Sequence, residues 1–287
     1  MMWGFHLEFK QSLRTKKLWV ILGTMVLLYI PVFYLIKSFG GSEITVEGAM
    51  AFLIQFVTGM AGFFIGILAL LIGATAINSE VEKGTLRVAM SKPIKRVSYI
   101  GGKFLAHSVV LLLALLLSTV VGIAGVVWLG APLTGELIRD VLLLNMLLLL
   151  AMVQLVALGY IISTLIKSSG SALGLALVLA FVMFLIMPNV VGYLTFKAIS
   201  EHPDMSLGEL QQIKKDYTTK YLFYVPTSQV SVITDDVSAT DGDLANVTYR
   251  GLPYAIKKNP VNLGILIGLT AVYLAIGFFR FLRMDLR

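Results

Sequence analysis

Apolar and charged positions fall along this chain in long blocks. Marking every Asp, Glu, Lys and Arg leaves six charge-free stretches, 18–36, 48–79, 104–135, 141–166, 168–196 and 259–279. The shortest has 19 residues and the longest 32, against about 20 for an α-helix to cross the hydrocarbon core. Leu, Ile, Val and Ala fill them without period-two alternation, so they read as helices rather than barrel strands. The pattern predicts an all-α membrane protein with six transmembrane helices. The first stretch begins only at Leu18 and lacks a small-residue cleavage site, so it is expected to remain as a span and not to be removed as a signal peptide.

Three segments lie outside the spans. In 1–17, Phe5, Phe9 and Leu13 recur at helical spacing among basic residues, which predicts an amphipathic interface helix, although Lys16 falls on the same stripe. The loop 80–103 separates the second and third spans within a block of five spans over 18–196. In 197–258, Ser206 and Glu209 precede Leu210, Ile213 and Tyr217, a capping box opening a helix. A looser stretch follows from Thr234 to Asn246. The sixth span, 259–279, leads into a tail at 280–287.

Composition narrows the class. With 57% apolar and 14% charged residues and a mean hydropathy of +0.88, an ordinary soluble enzyme and a disordered chain are excluded. The absence of cysteine removes thiolate metal sites and cysteine nucleophiles. The net charge of +7 is unevenly divided: the side holding both termini and the 80–103 loop carries fourteen Lys and Arg against four acids, the other side nine against twelve. The positive-inside bias places both termini in the cytoplasm of a multi-pass plasma-membrane protein, and the excess charge suits anionic lipid rather than nucleic acid.

Polar residues within the stretches are few. Gln55, Thr58, Asn78, Asn145, Gln154 and Asn189 read as interhelical hydrogen-bonding groups or as the lining of a path. His107 reads as a snorkelled or capped interface residue, and Pro188 is expected to kink the fifth span or end it early. Glycines spaced by four, Gly62 with Gly66, Gly170 with Gly174 and Gly264 with Gly268, are candidate helix contacts. Asp235, Asp236, Asp241 and Asp243 form an acidic tract that reads first as solvated and second as a Ca²⁺ site, and Asn246-Val247-Thr248 fits a glycosylation sequon.

The most structured motif is the loop itself. Ser79 with Glu82 can cap a short helix that Pro93 stops, giving a rigid element under the bilayer whose Leu86, Val88 and Met90 suit a partner's groove; the alternative is a solvated connection. Glu80-x-x-x-Gly84-Thr85-Leu86, then Ser91-x-Pro93-Ile94-x-Arg96 and Gly102-Lys103-Phe104, between a second and third span, resembles the permease subunits of type-2 (ABC-2 type) ABC transporters, as does the six-span plan around it. The resemblance implies that Glu80, Glu82, Gly84, Thr85, Leu86, Pro93 and Arg96 couple to an ABC ATP-binding subunit, two copies of which serve a homodimer or heterodimer of permease chains and drive alternating access, with export expected. It also implies that no cofactor is bound by this chain, ATP and Mg residing on the partner. The sequence agrees, since the one Gly-Lys pair, Gly102-Lys103, is followed by Phe104 and not by the Ser or Thr of a phosphate loop. The competing classes are an ATP-independent channel or carrier, a lipid-modifying membrane enzyme using His107 or the acidic tract, and a structural subunit.

Overall fold

The computed structural model describes residues 2–14, 16–39, 45–91, 95–201, 205–240 and 247–284. Six helices are long and apolar enough to cross a membrane: Leu18–Ser38, Val46–Glu82, Arg96–Trp128, Gly135–Leu165, Ser169–Glu201 and Pro260–Arg283. In chain order they comprise α2 (Lys16–Phe39), α3 (Val46–Thr75) continued by α4 (Asn78–Glu82), α6 (Arg96–Trp128), α7 (Gly135–Leu165), α8 (Ser169–Phe181) continued through a π turn into α9 (Met187–Glu201), and α13 (Pro260–Arg283). Before them lies α1 (Met2–Leu13), and α5 (Thr85–Met90) sits in the loop. Between the last two spans come α10 (Leu207–Tyr221), α11 (Pro226–Thr234), β1 (Ser238–Thr240), β2 (Val247–Tyr249) and α12 (Leu252–Lys258).

The third and fourth spans differ from the charge-free blocks. The block 104–135 starts inside α6, eight residues after Arg96, and overruns the turn at Leu129–Thr134 into α7. Glu136, Arg139 and Asp140 are helical because Thr134 accepts from the Leu137 amide, Glu136 suits the positive helix start, and Asp140 is paired. At the start of α7, paired and capped charges therefore lie inside a span and do not mark its boundary.

The centre of the bundle is the crossing of α3 with α7. A Cβ on Gly73 would lie 2.5 Å from the Val156 carbonyl, and one on Gly159 would lie 2.6 Å from the Ala74 nitrogen. The two backbones touch there, as small residues permit where lipid offers no hydrophobic drive between helices. Of the expected glycine pairs, Gly66 meets Phe184 and Gly62 meets Thr227, whereas Gly174, Gly264 and Gly268 have nothing within 4 Å, and Gly170 meets only the neighbouring Ser168. A second cluster, Tyr29, Phe33, Phe52 and Phe56, holds α2 against α3, and Tyr29 shares a hydrogen bond of 2.6 Å with Ser118 of α6. Elsewhere α2 exposes Trp19, Leu27, Ile30 and Tyr34, the face a lipid-contacting helix presents.

Pro188 does not end the fifth span. The chain forms a π turn at Val182–Ile186 immediately before it, which relieves the clash and the missing N–H that proline brings to a helix. The described residues of the segment 197–258 also hold more regular structure than its composition suggests. The Ser206–Glu209 capping box is present, and Thr234–Thr240 is occupied by the end of α11, a 3₁₀ turn at Asp235–Val237 and β1, which pairs antiparallel with β2. Its helix α11 packs against α3, α7 and α13; Thr227 reaches Gly62, about 24 Å along α3 from Val46 at 1.5 Å per residue. Part of this segment thus returns into the bundle instead of lying wholly outside it.

Candidate functional site

The loop 80–103 and α1 lie at the same end of the bundle as the C-terminus of α13. Gly84 makes the loop possible: its φ of +69° is a left-handed conformation that costs other L-residues about 1–2 kcal/mol, and it turns the chain from α4 into α5. Thr85 donates to the Glu80 carbonyl across that turn at 3.3 Å. Ser79 donates to the Thr75 carbonyl and caps nothing, and Glu82 leaves its own helix entirely.

Each ionic residue of the motif is tied to a different span. Glu80 holds Lys103 of α6 at 2.8 Å and accepts from the Tyr99 hydroxyl at 2.6 Å. Glu82 accepts from the backbone N–H of Ser169 at 2.8 Å and from its hydroxyl, so a carboxylate caps the start of the fifth span. Arg96 donates to the carbonyls of Leu282 and Met284, both at 3.1 Å, closing the C-terminus of α13. Leu86 is 1% exposed in the core and Met90 packs against it. The expectation that both offer themselves to a partner is therefore corrected, because the half of α5 that they occupy faces this chain's own bundle. The outward half carries Arg87 and Val88, the latter 66% exposed, with Ser91 exposed beside them. Pro93, with Lys92 and Ile94, lies outside the described residues.

Behind the loop is a buried ionic cluster. Lys103, 3% exposed, sits between Glu8 at 2.9 Å and Glu80. Glu8 also meets Nε2 of His107 at 2.8 Å, and Nδ1 of His107 meets the Tyr160 hydroxyl at 3.0 Å. An imidazole protonated on Nε2 donates to Glu8 and accepts from Tyr160, so both ring nitrogens are satisfied. Burial pushes the Glu8 carboxyl up, but the His107 hydrogen bond and the Lys103 charge outweigh it and hold it at about 2. His107 is thus neither snorkelled nor solvent-capped. The cluster joins α1, α4, α6 and α7 and borders a 340 Å³ cavity between α1, α3 and α8. Of the expected stripe, Phe9 and Leu13 pack against the core and Phe5 stacks on Phe9, while α1 packs against α6.

At the opposite end, buried Asp140 accepts from the Tyr249 hydroxyl at 2.6 Å and the Leu252 N–H at 2.8 Å, anchoring 197–258 to α7. In the acidic tract, Asp236 is held by Lys215, by Lys258 at 2.8 Å and by Asn259 at 2.8 Å; burial opposes its ionisation, but these partners lower its pKa. Among the described residues no His, Cys, Asp and Glu group could hold a metal, and Asp241, Asp243 and Asn246 lie outside them. Of the polar span residues, Asn145 bonds Thr119 at 2.9 Å, Asn78 reaches the Ile166 carbonyl at 3.4 Å and Gln154 accepts from Thr270 at 3.3 Å, all between helices. Thr58 and Asn189 bond carbonyls within their own helices.

Six apolar helices, with a basic loop tied to three neighbouring spans through Glu80, Glu82 and Arg96, define a polytopic membrane protein. The sequence matches the family described as ABC-2 family transporter protein over residues 2–286, and the chain belongs to that family, as a membrane permease subunit of an ABC transporter. A curated relative is the probable ABC transporter permease protein NosY of Pseudomonas aeruginosa, 34% identical over 135 residues, 45% of this chain and 47% of that protein. The match thus spans about half the length of that relative.

Proposed function

We propose that this chain is the membrane half of an ATP-driven exporter in the plasma membrane, with both termini and the 80–103 loop in the cytoplasm, working as a homodimer or heterodimer with two separate ATP-binding subunits. The observation that carries the reading is the three-way tether of the loop: Glu80 to α6, Glu82 to α8 and Arg96 to α13. A partner pressing on α5 displaces three spans together. Population shift requires only that the ATP-bound partners favour one arrangement of those spans, and α5 with α1 is the contact that expresses the preference. In this reading Val88 and Arg87 form the docking face, while Glu80, Glu82, Leu86 and Arg96 transmit, with Gly84 and Thr85 shaping the turn between them. Any ATP and Mg²⁺ belong to the partner.

The test separates docking from transmission in proteoliposomes holding the chain and its ATPase. Val88→Asp is expected to abolish association. Glu82→Ala is expected to leave association intact and to lower substrate-stimulated ATP turnover about tenfold, since the loop then moves without the fifth span. Normal stimulation in Glu82→Ala would refute the transmission role.

A further inference from the structure

The second span reads as one run but is two helices. α3 ends at Thr75 and α4 begins at Asn78, just past the point where Gly73 and Gly159 bring the α3 and α7 backbones together. Helices break where a side chain enters the ladder of backbone hydrogen bonds, and here that side chain is Ser163 of α7. Its hydroxyl oxygen accepts from the Ile77 N–H at 2.9 Å and from the Asn78 N–H at 3.0 Å, the two amides that a continuous helix would direct at the Gly73 and Ala74 carbonyls. Those carbonyls are met otherwise: Gly73 accepts from the Ala76 N–H at 3.2 Å and Ala74 from the Asn78 side-chain amide at 3.0 Å. The same amide reaches Ile166 at the end of α7. Thr75 and Ser79 donate to the carbonyls one turn back, those of Leu71 and Thr75, a pattern that bends helices. Ile77, Asn78 and Ser163 are all buried, where an amide without an acceptor is costly, so the break belongs to the fold and is not a frayed end.

The three ionic tethers of the loop reach α6, α8 and α13; the α3–α7 pair is not among them. We propose that Ala76–Ile77 is a joint and that Ser163 and Asn78 are its positioning residues: α4 and the loop swing as one body against an α3–α7 pair that stays fixed. A hydroxyl oxygen offers two lone pairs on a rotatable bond, so Ser163 keeps both amides satisfied while α4 changes its angle. Bonds to the α3 carbonyls would instead fix α4 as a straight continuation of α3. The side-chain oxygen of Asn78 is buried and has no hydrogen-bond partner among the described residues. An acceptor left unmet destabilises the present arrangement and narrows its gap from others. The joint stands on this geometry alone; that it serves ATP coupling rests on the transport reading.

Two experiments separate the joint from its role. In the full chain in nanodiscs without an ATPase, nitroxide pairs at Lys83 with Met146 and at Gln55 with Leu165, all exposed positions, report α4 against α7 and α3 against α7. In Ser163→Ala the two amides return to the Gly73 and Ala74 carbonyls, and the first distance is expected to move by about 2 Å or more while the second stays. An unchanged first distance, or equal shifts in both pairs, would overturn the joint. In the second experiment Thr75→Cys and Ser79→Cys, one turn apart across the joint and lining the 340 Å³ cavity, are bridged after folding by a bifunctional thiol reagent in a chain with no other cysteine. The bridge locks the joint at its present angle. With the ATPase bound, bridging is expected to leave association intact and to lower permease-stimulated ATP turnover about tenfold relative to the same chain unbridged. Equal turnover in the two forms would overturn the coupling role, and because both are one folded molecule a folding defect does not imitate the result. A chain that recruits no ATPase overturns the coupling role together with the transport reading and leaves the joint standing on the distances.

Discussion

Glu8 shows how one side chain sets the behaviour of a whole helix. It faces Lys103 and His107, with Glu80, Tyr99 and Tyr160 in the same cluster. Its carboxyl is depressed from 4.5 to about 2, so the docking advantage of α1 is fully present above the unfolded value and is lost as pH falls from there through about 2. A dye pair attached through cysteines introduced on facing positions of α1 and α6 of this cysteine-free chain should therefore report the same docked fraction at pH 5 and pH 8. In Glu8→Gln that fraction should drop several-fold at both values. Lys103→Met takes the cation from between two partly buried carboxylates that keep only His107 and Tyr99 as partners and is expected to cost about 3 kcal/mol, seen as a loss of thermal stability. None of these pairings was legible in the sequence: Glu8 is a lone acid in a basic segment, some 95 residues from its partner, and nothing local distinguishes it. Glu80, Glu82 and Arg96 were recognisable as a motif. That they would point inward to three spans, and that Leu86 would be buried, depends on tertiary contacts which a spacing argument does not contain.

At the scale of elements, spans were readable because lipid demands long apolar helices with satisfied backbones, while their ends were misread where charges are taken into the helix, as at α6 and α7. The α7 start is the instructive case, since Glu136, Arg139 and Asp140 look like a loop and form a capped, paired first turns of helix. The capping box at Ser206 was local and hence legible. The glycine spacings were not decisive, because the close crossing falls at Gly73 and Gly159, one on each helix, rather than at two glycines on one helix. Gly159→Val pushes a side chain into the Gly73 and Ala74 backbone and should lower the melting temperature and the yield of folded chain sharply. Gly264→Val, with open space around it, should change neither. The return of α11 to Gly62 was likewise hidden, since its apolar residues are too few for a span and are buried only by the spans already in place.

For the molecule as a whole, the two ends are held together differently. The basic end is cross-braced by Glu8, Glu80, Glu82 and Arg96, whereas the opposite end is anchored through Asp140 and Asp236. Between them α3 and α7 form a backbone-tight axis, with α2 and the fifth span on the outside where lipid or another copy can meet them. Family membership supplies the expectation of an ATP-binding partner, and the exposed face of α5 is the surface we propose for it. The most direct measurement is a photo-cross-link from position 88, placed on the exposed face of α5, in complexes purified from the native membrane. The account predicts a stoichiometric ATPase in the complex and a cross-link from position 88 to it that adding Arg87→Glu weakens. A chain that purifies without an ATPase, or one cross-linked to it only from the end bearing Asp140, would contradict the account.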